Sequence, residues 1–145
     1  MRLPKEVTTK NAQETIELAK EIAGEIEACE PKILCLEGNL GTGKTTFVKG
    51  FCDFYGVGKQ IVKSPTYTYY RLYNGGKMDI YHFDYYRLTE LDEIVEHEFL
   101  EIMDKENSIV LIEWPEKVKD LMPKGTIFVD YHDIPRSNIF SAEND

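Results

Sequence analysis

Residues 36–46 read LEGNLGTGKTT, and Gly38 to Thr45 fits G-x-x-x-x-G-K-[ST] in full. The residue types suit the gripping of phosphate. Glycines at 38, 41 and 43 let the backbone approach closely and take positive φ. The N–H groups of Asn39, Leu40, Gly41, Thr42 and Gly43 would then form an anion-binding nest at a helix N-terminus. Lys44 would bridge the β- and γ-phosphates, the Thr45 hydroxyl would ligate Mg²⁺, and Thr46 would reach the α-phosphate. A plain glycine-rich turn with an exposed lysine would not need the apolar strand before it and the helix after it.

A phosphate loop needs acids for the metal and for the attacking water. Asp84 ends the strand-like Ile80-Tyr-His-Phe-Asp84, and Glu113 ends Ile109-Val-Leu-Ile-Glu113. Acids at the ends of buried strands belong beside such a loop. Asp84 could equally cap a helical turn at Tyr85-Tyr86-Arg87, and Glu113 could be a solvated strand end. Either acid could touch Mg²⁺ directly. Ser64-Pro65-Thr66 offers a hydroxyl at Thr66 that either senses the γ-phosphate or is an ordinary turn residue. Arg87 reads by default as a surface ion-pair partner. His82, His97 and His132 are scattered, as are Cys29, Cys35 and Cys52, so neither a nitrogen–sulfur metal site nor a disulfide framework is expected.

The elements that must position these groups follow from periodicity. Lys5 to Thr9 suggests an edge strand. Asn11 N-caps a helix whose Ile16, Ala19, Ile22, Ala23 and Ile26 share a face, ending at Glu30-Pro31. Ile33 to Leu36 is a buried strand, and a helix runs from Lys44 to about Tyr55, closed by Gly56 and Gly58. Tyr67 to Tyr73 and Lys77 to Phe83 form a hairpin about Asn74-Gly75-Gly76. Leu91 to Met103 is helical, Ser108 to Trp114 a second buried strand, Pro115 a helical turn and Thr126 to Tyr131 a last strand. This predicts an α/β, three-layer, phosphate-loop domain over residues 1–145. Its central sheet is mixed and mostly parallel, ligands sit at the carboxyl ends of the parallel strands, and residues 136–145 are a loose tail.

A chain of 145 residues is most simply one domain with one core. It lacks a run of about 18 apolar residues and an apolar N-terminal leader, which points to the cytoplasm and away from a membrane. A net charge of −9 argues against tight direct binding of bare nucleic acid. Seven of the nine tyrosines fall between Tyr67 and Tyr86. Cross-strand packing is their default reading, ahead of a protein interface and of stacking on RNA.

Four blocks, GNLGTGKTTFVKG, SPTYTYYRLY, YHFDYYRL and IEWPEK, occur in this order. Together they resemble the TsaE (YjeE) family, from the helix at Asn11–Ala23 to about Arg136. The resemblance implies a small, slow, Mg²⁺-dependent ATPase that assists synthesis of threonylcarbamoyladenosine at position 37 of tRNA. It would join the TsaB–TsaD pair, which performs the transfer, and hydrolyse ATP to reset it, meeting tRNA indirectly, through that complex. By the same likeness Gly38, Gly41, Gly43, Lys44, Thr45 and Thr46 match the phosphate loop, and Ser64 and Thr66 a switch segment. Asp84 matches the acid of H-F-D, Glu113 and Trp114 the E-W pair, and Arg136 an arginine near the base or ribose. Tyr85 stands where leucine is usual, and Tyr69-Tyr70 where aliphatic residues are common.

Two other readings stay open. A small nucleotide kinase would need several clamping arginines and a lid, and the chain has Arg2, Arg71, Arg87 and Arg136, widely spread. A non-catalytic nucleotide switch would act by binding alone.

Overall fold

The computed structural model describes residues 5–38, 44–57, 69–133 and 136–142. The first helix, α1 (Ala12–Ile26), starts where Asn11 predicts, with its side chain accepting from the Glu14 N–H at 2.9 Å. The Glu14 carboxylate reaches back to the Lys10 N–H at 3.0 Å. Thr15, Leu18, Ala19, Ile22, Ala23 and Ile26 form its buried stripe. The second helix, α2 (Lys44–Phe54), buries Phe47, Val48, Phe51 and Cys52. The two helices pack so closely at Gly50 that a Cβ there would lie 2.8 Å from the Ile16 carbonyl oxygen. A third helix, α3 (Glu93–Met103), is N-capped by Asp92 and buries Phe99 and Ile102.

Seven strands form one sheet: β1 (Lys5–Thr8), β2 (Ile33–Glu37), β3 (Tyr70–Asn74), β4 (Asp79–Asp84), β5 (Ser108–Glu113), β6 (Ile127–Asp133) and β7 (Arg136–Ala142), in the order β1-β7-β6-β2-β5-β4-β3. The central block β6-β2-β5-β4 is parallel, while β3 and β7 run against it. Because β1 is antiparallel to β7, five of the seven strands share one direction. Strands β2 and β5 are apolar nearly throughout because both faces are covered. Leu34, Leu36, Ile80, Ile109, Leu111, Ile127 and Val129 pack against α1 and α2. Ile33, Cys35, Tyr81, Phe83, Val110, Ile112 and Phe128 pack with Phe99 and Ile102 of α3 and with Val118. The result is the three-layer α/β arrangement read from the sequence, and Cys35 is a core residue.

The hairpin forms as expected, with Asn74 opposite Asp79 and the Gly75 N–H donating to the Met78 carbonyl at 2.9 Å. Gly76 has φ +84°, which the turn needs and glycine permits. The expected loose tail is corrected. Residues 136–142 form β7, inserted between β1 and β6 and hydrogen-bonded to both. Without it both neighbours would carry an unpaired row of backbone groups, so the pairing orders a segment whose RSNIFSA pattern lacks clean alternation. Helix α1 also stops at Ile26, before the proline expected to end it.

Candidate phosphate-binding site

The parallel strands β2, β4 and β5 end together at one edge of the sheet, delivering Gly38, Asp84 and Glu113 to the same place. Gly38 comes directly after β2 with φ +142°, a conformation that favours glycine. Six residues on, Lys44 opens α2. Its side chain is 4% exposed, and its Nζ donates to the Gly38 carbonyl at 2.7 Å, tying the two ends of the loop together. Thr45 is exposed and Thr46 half-buried in the first turn of α2, which carries no acidic residue to compete with an anion. Asn39, Leu40, Gly41, Thr42 and Gly43 lie outside the described residues, as do Ser64 and Thr66.

Asp84 and Glu113 are a register pair across the parallel β4–β5 ladder, and the Tyr85 N–H donates to the Glu113 carbonyl at 3.1 Å. Asp84 does cap the segment after it, accepting from the Tyr86 N–H at 3.0 Å, though that segment is a turn and not a helix. Burial pushes the Asp84 carboxyl above its ordinary range; the Tyr86 N–H opposes this, Glu113 adds to it, and His82 and Lys44 oppose it. Burial likewise lowers the Lys44 ammonium from its ordinary value, against the pull of Glu113, Asp84 and Glu116. Glu113 is 4% exposed, so it is no solvated strand end.

The carboxylate of Glu113 meets a partner that sequence reasoning missed. His82 Nε2 lies 2.6 Å from Glu113 Oε2, and the imidazole is 1% exposed. The alternation of β4 holds the clue, because Ile80, His82 and Asp84 must share a face. Trp114, next after Glu113, has φ +57°, a left-handed conformation uncommon for a large side chain. Its ring lies 3.7 Å from Lys44 Nζ and meets Tyr86 edge-on at 4.9 Å. Arg87 is exposed. Arg136 starts β7 opposite Asp133, at the same end of the sheet but two strands from β2.

The donor set is therefore oxygen, with a hydroxyl at Thr45 and carboxylates at Asp84 and Glu113, beside a buried ammonium. Hard oxygen ligands of this kind suit Mg²⁺ held together with a polyphosphate. A cleft of about 420 Å³ at the opposite end of the sheet, between Lys32 and Asn107, brings together none of these groups.

A family model described as threonylcarbamoyl adenosine biosynthesis protein TsaE matches residues 9–138. The curated tRNA threonylcarbamoyladenosine biosynthesis protein TsaE of Haemophilus influenzae is 49% identical over 70% of this chain and 65% of its own length. The protein of the same name from Bacillus subtilis is 36% identical over 80% of this chain and 70% of its own. That from Aquifex aeolicus is 37% identical over 82% and 83%. Among solved structures, the crystal structure of Bacillus subtilis YdiB superposes with a TM-score of 0.67 at 30% identity, covering 99% of this chain and 90% of that one. No helix among the described residues is long and apolar enough to cross a membrane.

Proposed function

The chain belongs to the TsaE family, and from that premise we propose that it is a Mg²⁺-dependent ATPase that serves threonylcarbamoylation of tRNA adenosine 37. It acts in the cytoplasm on the TsaB–TsaD pair, permitting the pair to turn over, and meets tRNA through that complex. The observation that carries this reading is the convergence of Lys44, Asp84 and Glu113 at the exit of β2, with Lys44 closing on Gly38.

Each group has its own part in the reaction. The backbone of residues 38–43 holds the α- and β-phosphates, with Thr46 alongside. Lys44 spans the β- and γ-phosphates and balances charge that develops there in the transition state. Bound Mg²⁺, held by the Thr45 hydroxyl and by Asp84 or Glu113 directly or through water, would neutralise the phosphate oxygens. The remaining carboxylate orients the attacking water in line with the γ-phosphate. Ser64, Thr66 and Trp114 respond to the γ-phosphate, and Arg136 lies toward the base or ribose. The described arginines Arg71, Arg87 and Arg136 are spread over β3, an exposed turn and β7. Turnover by the isolated chain is therefore slow, and the partner supplies a missing cation or orders the switch.

The test is ATP hydrolysis by the purified chain, alone and with the cognate TsaB–TsaD pair, beside a Lys44→Ala control. Slow turnover alone and a large Lys44-dependent rise with the pair are expected. Normal hydrolysis by folded Lys44→Ala would refute the site assignment. No rise with the pair would refute the accessory role, and ADP formation that required a nucleoside monophosphate would favour a kinase.

A further inference from the structure

Glu113 is a buried carboxylate, and among the described residues the one side chain that reaches its carboxylate is His82, at 2.6 Å. The contact is diagonal. The register partner of His82 on β5 is Leu111, while that of Glu113 on β4 is Asp84, so the imidazole leans along the strand to meet the acid. The surroundings of His82 on this face are Ile80, Ile109 and Leu111, all fully buried. Stability alone would place an apolar side chain there. A polar ring is present instead, and its other nitrogen, Nδ1, is buried with no partner among the described residues. A histidine kept for packing or for its own network would satisfy both nitrogens. Among the described residues this one keeps one hydrogen bond and leaves its other buried nitrogen without a partner, and that bond goes to the site acid.

We propose that His82 is a positioning residue that holds Glu113 Oε2 through Nε2 and so fixes the carboxylate's orientation toward the phosphate end of the site. The inference rests on the reading of Glu113 as part of the hydrolytic site. Outer partners of ligating or catalytic carboxylates act in this way, and losing one typically lowers activity about 10–100-fold. The effect should fall on kcat, because among the described residues the hydrogen bond of His82 goes to Glu113, the acid assigned to the hydrolytic step, and not to Lys44.

The experiment compares the full chain with Glu113→Gln, two donor-free variants, His82→Leu and His82→Phe, and the donor-bearing His82→Gln. Two donor-free variants are used so that one that fails to fold does not decide the outcome. ATP hydrolysis, nucleotide affinity and thermal unfolding are measured for each. The expected result is a fall in kcat of at least about tenfold in whichever donor-free variant folds, with nucleotide affinity changed by less than about twofold. His82→Gln, whose amide N–H can reach the acid, should recover most of the loss. Unchanged kcat in a folded donor-free variant overturns the proposal. So does a loss that His82→Gln does not recover, or one that tracks lost stability and affinity together. If Glu113→Gln hydrolyses ATP like the parent chain, the reading of the site fails first, and this inference with it. Glu113-dependent hydrolysis that ignores His82 overturns the inference alone.

Discussion

Lys44 holds its ammonium 3.7 Å from the centre of the Trp114 ring, on the side of the site where Glu113 ends β5. A cation over an indole face gains about 0.5–2 kcal/mol. Charge-assisted bonds to phosphate are stronger, and they also relieve the cost of burying Lys44. A nucleotide bound at the loop should therefore draw the ammonium off the ring. Trp114 is the single tryptophan of the chain, so intrinsic fluorescence reports on this contact directly. Titration with ADP is expected to change the emission, and Lys44→Ala to abolish the change. ADP binding detected by calorimetry with no change in emission would show that Lys44 stays on the ring.

Asp84 should trade stability for activity. Its carboxyl is harder to ionise in the folded chain than in the unfolded one. The protonated form thus favours folding and the ionised form opposes it, so stability from this group is lost as pH rises from 3.8 through the raised folded value. Asp84→Asn keeps an acceptor for the Tyr86 N–H and removes the half-buried charge. At pH 7 it is expected to melt higher, on a scale where about 1 kcal/mol corresponds to roughly 2–4 °C in a chain of this size. The advantage should vanish as pH falls toward 3.8. ATP hydrolysis should drop at least about tenfold in the same variant. Melting curves across pH check the first part, and a lower melting point at pH 7 would mean that the Lys44 attraction outweighs burial.

Much of this site is legible in the sequence because its parts lie in short segments with strong local patterns. The apolar run Ile33–Leu36, the glycines that follow Glu37 and the residues of α2 succeed one another in the sequence, so the candidate phosphate loop needs no long-range information. Asp84 and Glu113 can each be placed at a strand end, but their pairing depends on the parallel β4–β5 register, which joins residues far apart in the sequence. The role of His82 is hidden for the same reason: its partner is distant in sequence, and a histidine among apolar residues is usually core. Strand β7 reads as tail because Arg136–Ala142 mixes polar and apolar residues, and its order comes from being paired on both sides.

Gly50 is where local propensity and packing oppose each other. Alanine is a better helix former than glycine by about 1 kcal/mol, which would favour Gly50→Ala in an isolated α2. In the folded chain the added Cβ would meet the Ile16 carbonyl oxygen at 2.8 Å, the Ile16 Cα at 2.9 Å and the Ala19 Cβ at 3.0 Å. Two of these are backbone atoms of α1 and cannot rotate away. Overpacking of this kind costs about 1–3 kcal/mol, so the steric effect should win. Gly50→Ala is expected to lower the unfolding midpoint in urea with an unchanged m-value. A raised midpoint would mean that α1 can retreat from α2 at little cost.

Tyr85 carries a hydroxyl with no use in the described structure. The side chain is 2% exposed, and its Oη is buried without a partner among the described residues. Burial, with Glu98 and Tyr69 nearby, pushes ionisation of the phenol well up, so the group is neutral at any working pH. The ring itself is well placed, stacked on Phe83 at 5.4 Å and edge-on to Phe99 at 6.0 Å. An unsatisfied buried hydroxyl costs about 1–3 kcal/mol, whereas the ring contacts contribute to stability. Tyr85→Phe keeps the ring and removes the cost, so its melting temperature should rise. Tyr85→Leu also removes the hydroxyl, but it forfeits the aromatic contacts and leaves part of the volume empty, and should melt below the phenylalanine variant. Hydrolysis should be unaffected in Tyr85→Phe, because the Tyr85 N–H that meets the Glu113 carbonyl is main-chain. Thermal unfolding measured by circular dichroism decides the matter. A melting temperature lower in Tyr85→Phe than in the parent chain would reveal an acceptor for the phenol, and Glu98 on α3 would be the first residue to replace in search of it.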